Sequence, residues 1–248
     1  MRKAFSLLVA LGFFVSTEAC FDTYLFLQKG SMVYPKGMLV LDGAGEYTIH
    51  RFSAAQEDLF TANTNIYYGI HERFSAQAGV ASGEKDRASF SIDQWGLRGV
   101  GGIIQNYKGF YNLDVILECA SAFNMKDLTV ELSGPNIFYV NNFIFVVHPV
   151  LSMGRELPLG IRGHGGVFFN VSNMGIVGIG AEYESAQSGS QFGRRLVDGE
   201  AGTSLFLGAR LGQNAYLQNE FIKGWGEGAK DFGYAATIKY AFKTGTGR

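Results

Sequence analysis

Apolar and polar residues alternate with a period of two along most of the chain. Near the C-terminus, FGYAATIKYAF sets Tyr234, Ala236, Ile238, Tyr240 and Phe242 against Ala235, Thr237, Lys239 and Ala241. A period of two is a strand with two different faces. LFTANTNIYYGI places Phe60, Ala62, Thr64, Ile66 and Tyr68 opposite Thr61, Asn63, Asn65 and Tyr67. RFSAQAGVA sets Phe74, Ala76, Ala78 and Val80 against Ser75, Gln77 and Gly79. Only IHER separates these two runs, which predicts a hairpin. Further hairpins are expected at NYKG (106–109), VSNM (171–174) and GQNA (212–215). Few segments show a helical period, and there is no internal repeat or domain linker. The pattern predicts an all-β protein of consecutive hairpins.

The connections add a second regularity. Long polar connections fall near 50–58, 83–89, 185–200 and 224–231, and short ones near 71, 107, 172 and 213. Long and short alternate throughout only if KDLTVELSG (126–134) is a short strand that turns back at Gly134-Pro135-Asn136. The connections near 123–126 and 153–157 then join the long-loop side. The expected strands are 37–49, 59–70, 73–82, 90–106, 109–122, 127–133, 137–152, 158–170, 174–184, 201–211, 215–223 and 232–242. This count of about twelve, with ten as the alternative, puts both barrel ends on the short-turn side. Such parity suits an antiparallel up-and-down transmembrane β-barrel, with short turns on one side of the membrane and long loops on the other.

Composition sharpens the picture. A chain of 248 residues makes one large domain or two small ones. It holds 34 glycines, about twice the usual share of roughly 7%. Glycine weakens strands, so its abundance points to tightly packed, strongly bent walls. The net charge of −1, with no basic stripe, excludes bulk nucleic-acid binding. The opening MRKAFSLLVALGFFVSTEAC has a basic start, a short apolar run, and Thr17 and Ala19 placed for cleavage. It reads as a secretory signal over residues 1–19. No later run is long enough for a transmembrane helix. Cys20, then the first mature residue, resembles the lipidated cysteine of bacterial lipoproteins, although Thr17 and Glu18 stand where Leu and a small residue are usual. Cys119 shares a face with Leu113, Val115 and Leu117 and is expected to point outward, unpaired with Cys20.

The polar faces carry many charges. Arg98, Asp114, Glu118, Asn142, His148, Arg162, His164, Glu182, Glu184, Arg210, Glu220 and Lys239 are expected to face inward. A dry sandwich core would not tolerate so many charges, whereas a wet lumen pairs them across strands. Symmetric turns place Arg98 opposite Glu118, Arg162 opposite Glu184, His164 opposite Glu182 and His148 opposite His164. The row His148–His164–Glu182 reads as a polar ladder, a divalent-metal site or a pH sensor. Phe168, Phe206 and Tyr67 also face inward and narrow the bore. No nucleophile elbow, zinc-protease motif or P-loop is present, and Ser152 alone makes no triad. No enzyme activity and no cofactor are expected. Arg194-Arg195 lies in the longest loop, and NVS (170–172) reads as a turn.

Ile238, Tyr240 and Phe242 resemble the aromatic C-terminal assembly signal of bacterial outer-membrane barrels, although the tail KTGTGR (243–248) follows it. With the export signal, residues 37–242 resemble a porin-like outer-membrane β-barrel. That resemblance implies lipid and the barrel-assembly machinery as partners. It also implies passage of small polar solutes, with selectivity set by Arg98, Asp114, Glu118, Arg162, Glu184, Arg210 and Lys239. The alternative is a structural or surface-adhesion protein with a closed lumen. Residues 20–36 would then be a plug, a periplasmic tether or an extra edge strand. A barrel hydrolase and a secreted β-sandwich are the remaining readings. The oligomeric state is not written in the sequence.

Overall fold

The computed structural model describes residues 31–49, 59–86, 89–106, 109–125, 128–154, 159–184, 201–225 and 231–244. The expected signal peptide, Cys20 and the Arg194-Arg195 loop lie outside the described residues. The strands are β1 (Met38–Ile49), β2 (Leu59–His71), β3 (Phe74–Asp86), β4 (Ser89–Ile104), β5 (Tyr111–Ala122), β6 (Thr129–Ser133), β7 (Asn136–Val140), β8 (Phe143–Gly154), β9 (Gly160–Ser172), β10 (Gly175–Glu184), β11 (Ala201–Arg210), β12 (Ala215–Trp225) and β13 (Phe232–Lys243). Each strand pairs antiparallel with its neighbours. β13 returns to β1 in an unbroken register from Met38↔Lys243 to Ile49↔Phe232. The sheet therefore closes into an all-β barrel of 12 wall positions, and closure satisfies every sheet edge internally.

The thirteen strand segments fill twelve positions because β6 and β7 are two halves of one wall strand. Both pair with β5 on one side and β8 on the other. Across the break at Gly134-Pro135, Gly134 N–H donates to the Pro149 carbonyl at 3.1 Å, and Asp114 N–H donates to the Pro135 carbonyl at 3.2 Å. The chain thus runs straight on where the sequence suggested a turn. It reverses instead at Asn141-Asn142, where Asn141 takes a left-handed φ of 56°. Asparagine tolerates that conformation better than most residues. Asn142 accordingly sits exposed in a turn rather than in the lumen. The expected strand 137–152 is really the end of one strand and most of the next. The strand count survives because the displaced turn still lies at the short-turn end.

The outward surface is apolar from end to end. Tyr47, Phe90, Phe123, Tyr183, Trp225 and Phe232 are exposed near the long-loop end. Tyr68, Phe74, Phe110, Phe143, Phe169, Tyr240 and Phe242 are exposed near the short-turn end. Ile66, Leu97, Leu117, Val147, Ile179, Leu205 and Ile238 lie between these belts. A water-facing protein rarely exposes a contiguous apolar surface of this extent. Two aromatic girdles around an aliphatic band are what lipid selects on a spanning barrel. Inward, Ala235, Thr237, Lys239 and Ala241 of β13 are buried while Tyr234, Ile238, Tyr240 and Phe242 remain exposed.

Candidate functional site: a polar lumen with an apolar floor

The inside of the barrel has two zones. Toward the long loops it is polar. β4 and β5 place Arg98 opposite Glu118, and Arg98 Nε donates to Glu118 Oε2 at 2.7 Å. Glu131 projects from β6 and meets Arg162 of β9, Nη2 to Oε2 at 2.5 Å. β8, β9 and β10 align His148 with His164 and His164 with Glu182. His164 Nδ1 lies 3.5 Å from Glu182 Oε2, and the two imidazole centres are 5.7 Å apart. On the opposite wall the polar groups reach further toward the short turns, where Asp42 gathers Lys239 Nζ at 3.1 Å, Asn65 Nδ2 at 2.9 Å and the Tyr67 hydroxyl at 3.1 Å. Lys239 Nζ also lies 4.9 Å from the centre of the Tyr67 ring, a cation–π distance.

Most of these charges are matched, as burial requires. A few polar atoms are not. Neither ring nitrogen of His148 has a hydrogen-bond partner among the described residues, nor has the Ser152 hydroxyl two turns of the pleat further along β8. Both residues are buried. Unmatched buried polar atoms cost stability, and they are where a polar guest gains the most.

Toward the short turns the lumen becomes apolar. Ile137, Ile144, Val146, Phe168, Ile176 and Phe206 form one buried cluster, with Phe168 and Phe206 meeting edge to face at 5.2 Å. Gly178 makes room for this packing, since a Cβ there would lie 2.2 Å from the Phe168 ring. A second cluster joins Tyr34, Val40, Tyr67, Tyr216 and Ala241. A third joins Val33, Val100 and Ile116. Tyr34 and Val33 belong to the stretch before β1, so this chain segment enters the bore.

The expected lumen residues are distributed as follows. Arg98, Glu118, Arg162, His148, His164 and Lys239 are inward in the polar zone, and Glu182 borders it. Asp114 is inward but lies in the apolar floor, where Oδ2 accepts the Met32 N–H at 2.6 Å. Arg210 turns toward the short-turn rim, where Nε and Nη2 donate to the carbonyls of Gly212 and Gln213 at 2.8 and 2.7 Å. Glu184 lies opposite Arg162 in register, and its side chain is outside the described residues. Among the described side chains, Arg162 pairs with Glu131. Cys119 is a free thiol on the outward-facing side of β5. Among the described residues, no group of three or more His, Cys, Asp or Glu is arranged to hold a metal ion.

Sequence reasoning passed over Asp42, Glu46 and Glu131. Each carried a signal. Val40, Asp42, Ala44 and Glu46 alternate along β1, as do Thr129, Glu131 and Ser133 along β6.

No protein-family model matches the chain, and no curated protein matches it. Solved structures do. An outer-membrane channel of Pseudomonas putida F1 aligns with a TM-score of 0.66 at 9% identity, over 85% of this chain and 97% of that one. The KdgM porin, solved in complex with disordered oligogalacturonate, aligns with a TM-score of 0.57 at 9% identity, over 83% of this chain and 99% of that one. The NanC porin gives 0.56 at 9% identity, with 83% and 99% covered. The chain has the closed β-barrel fold of these outer-membrane channels.

Proposed function

We propose that the chain is an outer-membrane channel for small polar solutes, with its long loops outside and its short turns facing the periplasm. One observation carries this reading. A closed barrel with a lipid-compatible exterior encloses a belt of charged and hydrogen-bonding side chains at its centre. A channel needs them to replace the hydration of a passing solute.

The charge balance narrows the solute class. Asp42, Glu46, Asp114, Glu118, Glu131, Glu182 and Glu220 line the bore, against Arg98, Arg162 and Lys239. Among the described residues, carboxylates outnumber fixed cations in the bore, so neutral and cationic solutes are favoured over anions. The oligogalacturonate named with the KdgM structure is a polyanion and does not suit this lumen. Within the bore, the His148 nitrogens and the Ser152 hydroxyl are the atoms a solute hydroxyl would satisfy.

The outward aromatic residues Ile238-flanked Tyr240 and Phe242 support insertion by the barrel-assembly machinery. Lipid is the surrounding partner. The closed-lumen reading, in which the barrel is a structural or surface protein, is favoured by the chain segment lying in the bore. Planar-bilayer recording of refolded protein across a KCl gradient separates the two. The channel reading expects discrete current steps and a reversal potential set by cations. Folded protein that never conducts supports the structural reading, and an anion-set reversal potential overturns the charge argument.

A further inference from the structure

The stretch from Ser31 to Gly37 crosses the bore at its short-turn end. At the rim, Gly37 N–H donates to the Gly69 carbonyl at 2.8 Å, and Thr244 N–H donates to the Gly37 carbonyl at 2.8 Å. Met38 N–H donates to the Pro35 carbonyl at 3.0 Å, so the chain turns inward there rather than running on as an extra edge strand. The Tyr34 ring then meets that of Tyr67 of β2 at 5.0 Å, tilted by 51°, and the Tyr34 N–H reaches Ser75 Oγ of β3 at 3.3 Å. Val33 packs on Val100 and Ile116 of β4 and β5. Met32 N–H donates to Asp114 Oδ2 of β5 at 2.6 Å, and Ser31 Oγ accepts from Gln105 Nε2 at 3.0 Å. The Met32 side chain packs against the cluster of Phe168 and Phe206 on the far wall. The segment therefore bridges walls on opposite sides of the bore.

The wall is shaped to receive it. Gly69 faces inward from β2. A Cβ at that position would lie 1.9 Å from the Pro35 carbonyl oxygen and 2.7 Å from that of Tyr34. Those are backbone atoms, so any side chain at position 69 must displace the segment. Asp114 is fully buried, and a buried carboxyl is costly unless it holds something. What it holds is a backbone N–H of this segment.

We infer that residues 31–36 are an internal gate, latched by Asp114 and seated against Gly69, that closes the short-turn half of the bore. This rests on the channel reading above. Opening breaks the Met32–Asp114 hydrogen bond and withdraws Val33 and Tyr34 from their apolar seats. The polar belt then connects to the periplasmic side. The attachment at Gly37 stays in place, as a hinge next to β1 with a left-handed φ of 73° that glycine accommodates.

The test uses the full mature chain, refolded, with heat-modifiable gel mobility as the folding control. Val33→Cys is introduced in a Cys20→Ser, Cys119→Ser background, and labelling by a membrane-impermeant maleimide is compared with the same chain lacking Val33→Cys. Val33 is expected to be protected in the otherwise native protein. Asp114→Ala and, independently, Gly69→Ala are expected to make it label readily. Asp114→Asn keeps an acceptor oxygen and is expected to stay near the native rate. Loss of one buried hydrogen bond corresponds to a rise of up to about tenfold in the open-to-closed ratio, and channel recordings of Asp114→Ala should show that rise. Val33→Cys labelling equally fast in the native and both altered chains overturns the gate. So does protection that neither Asp114→Ala nor Gly69→Ala relieves, which makes the segment a fixed part of the wall. Labelling that follows the latch while no variant conducts upholds the moving segment and defeats the channel reading instead.

Discussion

Arg162 and Glu131 show how the lumen is built from single residues. They reach each other from non-adjacent strands, and both are largely removed from solvent. Removing one partner strands the other. Arg162→Ala is expected to cost about 3 kcal/mol or more, whereas replacing the pair together, as Arg162→Met with Glu131→Leu, should recover most of that loss. Urea midpoints of the folded fraction on unheated gels would read both values. His148 argues in the opposite direction. Its ring nitrogens have no partner among the described residues, so His148→Leu is expected to raise stability by about 1 kcal/mol while weakening retention of polar solutes in the bore. A stability loss with unchanged solute block would show that His148 supports the wall rather than the guest. The inward pairs Arg98 opposite Glu118 and His164 opposite Glu182 could be read from hairpin symmetry, because the register shifts at Gly102/Ile104 and Gly175/Ile176 sit beside the turns and the pairing beyond them has the symmetric spacing. The Arg162–Glu131 pair could not. It depends on side chains reaching across a strand, which no turn specifies.

At the scale of elements, alternation made the faces legible because lipid and lumen impose opposite demands on successive residues. Tyr234, Ile238, Tyr240 and Phe242 face out, and Thr237 and Lys239 face in. Ile238→Lys near the middle of β13 is expected to cost roughly 2–4 kcal/mol, whereas Thr237→Lys on the lumen side should cost much less. Urea unfolding from lipid vesicles would give the difference, and equal costs would contradict the assigned faces. The middle of the chain was less legible. Gly134-Pro135-Asn136 carries strong turn residues, yet cross-strand hydrogen bonds on both sides hold the chain extended there. The true turn, Val140-Asn141-Asn142-Phe143, looked like the interior of an apolar strand. Asn141→Val should therefore destabilise the barrel by about 1–2 kcal/mol, and Asn141→Gly should not. Comparable urea midpoints for the two variants would place the turn elsewhere.

At the scale of the whole molecule, a lipid-facing sheath, a charged belt and an apolar floor follow one another from outside to inside and from loops to turns. The abundant glycine finds its reason here, since Gly69 and Gly178 clear space for the Pro35 backbone and the Phe168 ring. The sequence offered residues 20–36 as plug, tether or edge strand without choosing, because nothing in local pattern tells a segment crossing a bore from one hanging below it. Contacts of Val33 and Tyr34 with several walls decide where its described part lies. Solute influx tests most directly whether the polar lumen conducts and its floor opens. Liposomes carrying the refolded protein would be placed in a small neutral polyol and their swelling followed, for the native chain and for Gly69→Ala. The account predicts slow swelling above protein-free liposomes for the native chain, and markedly faster swelling for Gly69→Ala. Folded barrels that leave both preparations as tight as protein-free liposomes would contradict it.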